Sequence, residues 1–395
     1  MSFPARSSVD RNGEEPPVKK KKTSQVLPQT PQLYPILPLP DDLVLSCLAR
    51  VSRSYYPTLS LVNKSFRSLL ASPELYETRS ILGRTESCLY VCLRLPPDFN
   101  TSWFILCRRP NRTQKKKKKN SNGSLLIPIP SLQSPPAHSS GLVAVGSNIY
   151  NIGGGPMEDT PSSTVSVLDC KSHAWCEAPN MLVERKHPAS NVVDGKIYVA
   201  GGCEECNSSN WMEVFDSKTQ TWELVSCPLA EQCESRIDKS AVVEGEIFML
   251  GDKGVAYKPN EDRWEAIGPL SDFDLGWGWL SYSVIDNVLF CYRNLDGITW
   301  YDSKIGNWLN LKGLKGLPKF ADYSRVKLAD HGGKMAILWD KYVPSSGYEN
   351  KMIWCAVIAL ERHNSQEIWG RVEWLDAVLT VPKTYKFVCA LSVTV

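Results

Sequence analysis

Residues able to do chemistry are few in this chain and are not spaced for it. Five histidines are present, at positions 138, 173, 187, 331 and 363, and none pairs with another at metal-ligand spacing. Cys203-Glu204-Glu205-Cys206 is a lone C-x-x-C with no second pair at zinc-ribbon spacing. It follows directly on a Gly-Gly pair and reads as a loop with two free thiols, not as a metal or redox site. Gly153-Gly154-Gly155 lacks the Gly-Lys-Ser/Thr and the following helix that a phosphate loop requires. No catalytic residue, metal or cofactor is therefore expected, and any function must come from surfaces. The acids Glu158, Asp159, Glu204 and Glu205 lie in two loops after Gly pairs. If they act together they suit a basic epitope; otherwise they are ordinary solvated loop charge.

The bulk properties narrow the class. At 395 residues and 43% hydrophobic content the chain is long enough for two domains. The two lysine runs, Lys19–Lys22 and Lys115–Lys119, account for more than the whole formal charge of +3, so the remainder has no positive excess and carries no broad footprint for nucleic acid. No stretch approaches the ~20 apolar residues of a membrane span. The first residues have no apolar core and do not read as a secretory signal. Thirteen cysteines without framework spacing read as reduced thiols, placing the protein in the nucleus, the cytoplasm or both. Residues 1–33, rich in Pro, Ser, Lys and Glu, read as a disordered basic tail. Pro17-Val18-Lys19-Lys20-Lys21-Lys22 has the composition of a nuclear import signal and equally of a solubilising charge run. The second run sits in a Lys-rich loop, 109–124.

From Leu39 the pattern becomes helical. Leu39-Pro40-Asp41-Asp42 places a fixed φ and two negative charges at a helix start. Leu43, Cys47 and Val51 recur every four residues, with Val44 and Leu48 widening the stripe. Pro57 marks a second start, followed by a stripe of Leu59, Val62, Phe66 and Leu69; Ser72-Pro73-Glu74 reads as a third. Some 40 residues are too few for a self-sufficient core, so apolar faces of this module (34–85, with its linker) must lie against something else.

Beyond residue 86 a repeat takes over. Val-Val-Asp-Gly-Lys-Ile-Tyr-Val-Ala-Gly-Gly (192–202) returns as Val-Val-Glu-Gly-Glu-Ile-Phe-Met-Leu-Gly-Asp (242–252), with looser copies near 145, 284 and 330. Each is a strand, a tight turn and an apolar strand. A third strand and a Trp follow, at Trp175, Trp222, Trp264 and Trp308, spaced 47, 42 and 44 residues apart. A period of roughly 40–50 residues with four strands per unit predicts a β-propeller over 86–395. Trp103 and Trp369 fit the period less tightly. With them the count predicts six blades, each with a Trp on its outer strand, and an insertion near 341–351 in the last. The C-terminal strands are left to close the ring by completing the blade begun at residues 88–107.

The repeat, with its Gly pairs at Gly153-Gly154 and Gly201-Gly202 and the Trp that follows, resembles the kelch repeat. Leu39-Pro40-Asp41-Asp42-Leu43, then Leu59, then Val62 to Leu70, resembles the F-box. The combination is similar to the large plant F-box/kelch-repeat family. That resemblance implies a substrate-recognition subunit of an SCF-type (cullin-RING) ubiquitin ligase. Leu39, Pro40, Leu43, Leu48, Leu59, Val62 and Phe66 would dock on the adaptor subunit and, through it, on the cullin, while the propeller holds an unidentified target protein. Cys47 stands where the family commonly has a larger aliphatic, and Phe66 where it commonly has Trp. Two other readings share these residues: a propeller scaffold acting outside any ligase, and a kelch-type enzyme of specialised metabolism.

Overall fold

The computed structural model describes residues 39–97, 101–108, 123–130, 134–154, 160–204, 207–230, 233, 237, 239–251, 253–267, 281–293 and 297–395. The chain divides into two compact units, Met1–Pro40 and Asp41–Val395. Of the first, only Leu39 and Pro40 are described, so the basic tail with Lys19–Lys22 lies outside the described residues, as does Lys115–Lys119.

The second unit opens with four short helices: α1 (Asp41–Ala49), α2 (Tyr56–Leu59), α3 (Lys64–Leu70) and α4 (Pro73–Ile81). The stripe expected to run unbroken from Leu59 to Leu69 is interrupted. Asn63 takes an extended conformation and accepts from Phe66 N at 2.7 Å, which caps α3 and leaves Leu61 and Val62 in the turn before it.

Six four-stranded antiparallel sheets follow. Their innermost strands are Lys386–Thr394, Leu142–Val145, Ala189–Val193, Lys239–Val243, Ser281–Ile285 and Lys327–Asp330, in blades 1 to 6. Each touches the next and the last touches the first, so the ring is closed. Closure uses one C-terminal strand: Lys386–Thr394 pairs with Ser87–Arg94 from Ser87↔Thr394 to Arg94↔Lys386. Blade 1 thus takes three strands from residues 87–128 and one from the C-terminus.

The hairpin chemistry is what the turn residues dictate. Asp194-Gly195, Glu244-Gly245 and Asp286-Asn287 each have φ > 0 at both positions, the requirement of a type I′ turn. In the outer hairpins Asp169, Asp216 and Asp302 accept from the N–H two residues on, at 2.8–3.0 Å, which explains an Asp six residues before the Trp. The second glycine of each pair is required by close approach: a Cβ on Gly202 would lie 2.5 Å from Lys186 O.

One apolar cluster fills each blade interface. Trp175, Trp222, Trp264 and Trp308 stand on outer strands and pack into the cluster shared with the preceding blade. Trp103 and Trp369 do not repeat this. Trp103 is on the third strand of blade 1 (Thr101–Arg108), buried against Trp175 at 6.1 Å. Trp369 is on the outer strand of blade 6 (Glu367–Pro382) but stacks on His363 at the surface, because Trp300, Trp339 and Ile368 already fill that wedge. The count of six held although two of its six markers are not wedge residues. The surplus length of blade 6 is not concentrated in a loop at 341–351. It lies mainly in the connection at 311–326 and in strands of 15 and 16 residues, Asn350–Asn364 and Glu367–Pro382.

Candidate functional site

The helices sit on the propeller face that carries the third-to-fourth strand turn of blade 2, next to residues 170–173. Their inner side (Leu48, Ala49, Tyr56, Leu70, Leu75, Tyr76) joins the cluster between blades 1 and 2. Two buried arginines fasten the junction. Arg79 donates to Val51 O (2.8 Å), Ala49 O (3.2 Å), Tyr56 Oη (3.0 Å) and Arg84 O (2.6 Å), and pairs with Glu86 at 2.6 Å. Arg53 donates to Cys170 O and, at 3.1 Å, to His173 Nε2, while Tyr76 Oη donates to Lys171 O at 3.1 Å. Glu86, just before the first strand of the chain, also accepts from Ser52 Oγ at 2.9 Å and from Arg53 N. Burial, and then the Arg53 charge, push the pKa of His173 down to about 4.

The outer side of the module is bare. Leu43 is 49% exposed, Leu61 75% and Val62 60%; Cys47, one turn after Leu43, is exposed as well. Leu39 and Pro40, in the N-terminal unit, are exposed. Leu59 and Phe66 are half-buried and packed against the core. Leu48 departs from expectation. It is only 4% exposed, because the turn of α1 that presents Leu43 and Cys47 outward points Leu48 and Ala49 inward at α4. It holds the module together and is not available to a partner. Leu61 was missed because it falls off the 3–4 stripe, and the break at Asn63 leaves it with Val62 in an exposed turn.

The opposite face of the propeller opens on a cavity of about 1120 Å³ where the innermost strands begin. Lys186, Lys239 and Lys327 line it, and Glu204 is its only acid among the described residues. Of the four acids singled out in the sequence, Glu158, Asp159 and Glu205 lie outside the described residues. A tyrosine group stands on the same side of blade 6. Tyr323 and Tyr348 are exposed and flank Tyr342, with ring centroids 5.0 and 6.1 Å away. Cys203 is disulfide-bonded, contrary to the expectation of two free thiols; Cys206 lies outside the described residues. No group of three or more His, Cys, Asp or Glu able to hold a metal ion occurs among the described residues.

A helical module with a bare apolar side, carried on a six-bladed propeller, defines an F-box protein with a kelch propeller. The chain matches the F-box domain over residues 36–78 and the FKB95 kelch-repeats domain over 103–379. It belongs to the F-box/kelch-repeat family. It is 61% identical to the Arabidopsis thaliana F-box/kelch-repeat protein At4g39550, covering 96% of this chain and 99% of that one. It is 55% identical to At4g39580 (97% and 100%) and 59% identical to At5g49000 (96% and 99%), both F-box/kelch-repeat proteins of the same plant. Among solved structures it is similar to YjhT, at 15% identity and a TM-score of 0.45, covering 72% of this chain and 94% of that one; at that distance the likeness carries no argument.

Proposed function

We propose that this protein is the substrate-recognition subunit of an SCF-type ubiquitin ligase. Leu43, Leu61 and Val62, with Leu39 and Pro40, dock on an SKP1-type adaptor, and the propeller holds the target. The observation that carries this is the two-sidedness of the helical module. Its inner side is buried on the propeller, yet three large aliphatic side chains remain about half exposed or more on the outer side. Fully burying a Leu or Val is worth about 1.5–3 kcal/mol, so leaving three bare on one small module is explained by a partner that covers them. No chemistry is required of this chain. Holding a target lysine near the ligase's conjugating enzyme makes an encounter effectively intramolecular. The arginine-fastened junction would keep the target at a constant distance from the adaptor.

The test is adaptor affinity in purified components. Leu43→Asp with Val62→Asp should weaken adaptor binding at least ~100-fold, since burying a carboxylate in an apolar contact adds to the loss of both aliphatic contacts. The melting temperature should not change, because both sites are exposed. Unchanged affinity would remove the ligase assignment and leave a kelch scaffold.

A further inference from the structure

The cavity on the face opposite the helices holds two lysines, Lys239 and Lys327, whose charges no described residue neutralises. Lys239 and Lys327 are the first residues of the innermost strands of blades 4 and 6, at the same level as Ser281 in blade 5 between them. Among the described residues neither ammonium group has a hydrogen bond or an ion pair; that of Lys239 lies over the Tyr282 ring, 5.7 Å from its centroid. The pKa of Lys327 is pushed down by burial and then by the neighbouring Lys239 charge, with Arg325 adding to it. Two like charges held together cost stability, and such an arrangement persists where an anion is to be bound. The remaining lining points the same way. Ser190, 8% exposed, lines the cavity with a hydroxyl that has no hydrogen-bond partner among the described residues.

We propose that this cavity is the target-docking site and that it takes an acidic polypeptide segment, with Lys239 and Lys327 pairing with its carboxylates. The inference rests on the receptor reading, which it deepens by naming the chemistry of the target. Small-molecule pockets of roughly 300–1,000 Å³ are mostly apolar with a few polar groups. This one is larger and lined by three lysines and five serines. The charges are confined to a recess and do not form a surface stripe, which does not suit a nucleic-acid backbone. This reverses the expectation of a basic epitope drawn from the loop acids, of which only Glu204 is described at the cavity.

The test uses the full-length protein and a random dodecapeptide display library. Selected peptides should be enriched in Asp and Glu at least threefold over the library. The leading peptide should bind at least tenfold more weakly to a Lys239→Met/Lys327→Met variant, and the same loss should follow when its acidic residues become Asn or Gln. Lys239→Gln alone should give an intermediate loss and serves if the double variant melts early. Enrichment without acids, equal binding to the lysine variants, or complete displacement by inorganic phosphate at about 10 mM would overturn the proposal, the last in favour of a small-anion site. The lysine variants should bind the adaptor as the parent does, and the Leu43/Val62 variant should bind the peptide as the parent does. Loss of this inference and loss of the ligase reading are therefore separately visible.

Discussion

The junction between helices and propeller should weaken in acid through one histidine. His173 Nε2 accepts from Arg53 at 3.1 Å and stands 3.0 Å from Tyr90 Oη. A guanidinium only donates, so the ring must be neutral with its proton on Nδ1. The folded pKa of about 4 lies below the ordinary imidazole value of 6.5, so between the two values the unfolded chain binds a proton that the folded chain does not. Stability is therefore fully present above about pH 6.5, falls as pH drops, and levels off below about pH 4. At pH 4.5 the difference amounts to roughly 2–3 kcal/mol. His173→Gln isolates this contribution. The same hairpin position in blade 3 is Gln220, whose φ of 59° matches the 60° of His173, so the backbone accepts glutamine and its side-chain oxygen can still accept from Arg53. Urea unfolding of both proteins at pH 7 and pH 4.5 reads the effect. The parent should lose roughly 2–3 kcal/mol more than the variant between the two conditions, because carboxylate titrations are common to both. Parallel losses would refute the neutral, buried histidine and the junction drawn around it.

Three other outcomes follow from the packing. Arg79→Met leaves the carbonyls of Ala49 and Val51 without a donor and Glu86 without its cation, and should cost about 3 kcal/mol. Hydrogen exchange should show the loss over residues 41–81, with blades 3 to 5 unchanged. Glu213→Gln strips the counter-charge from Arg185, which is fully buried at 2.7 Å and also donates to Gly201 O, Asn210 O and Trp211 O. Breaking such a pair costs about 3–5 kcal/mol, read as a lowered thermal midpoint. Deleting residues 386–395 bares the edge of Ser87–Arg94 and should give aggregated protein, read by size-exclusion chromatography.

Much of the architecture was legible because repeats state their own period. Asp-Gly and Glu-Gly turns, Gly pairs and four outer-strand tryptophans each correspond to a local conformation, and local conformations are what residue types encode. The C-terminal closure was legible as a strand left over, but its share was not; only pairing decides that three strands of blade 1 come from one end and one from the other. Leu48 and Leu61 exchanged roles for a similar reason. Periodicity marks which residues of a helix are apolar, not which of two apolar sides meets the propeller, and the Asn63 cap that frees Leu61 breaks the period. Arg53 and Arg79 gave no signal, since a buried arginine and a solvated one look alike in a sequence. Lys239 and Lys327 were hidden in the same way: they lie 88 positions apart and share a cavity only because the ring brings the first strands together.

The central claim, that the bare side of the helical module is made for another chain, is tested most directly by hydrogen–deuterium exchange of the protein with and without an SKP1-type adaptor. Slowed exchange is expected over residues 41–49 and 59–70, with the cavity lining at Lys239 and Lys327 unchanged. No protection of the helices at saturating adaptor, or protection appearing on the propeller instead, would contradict it.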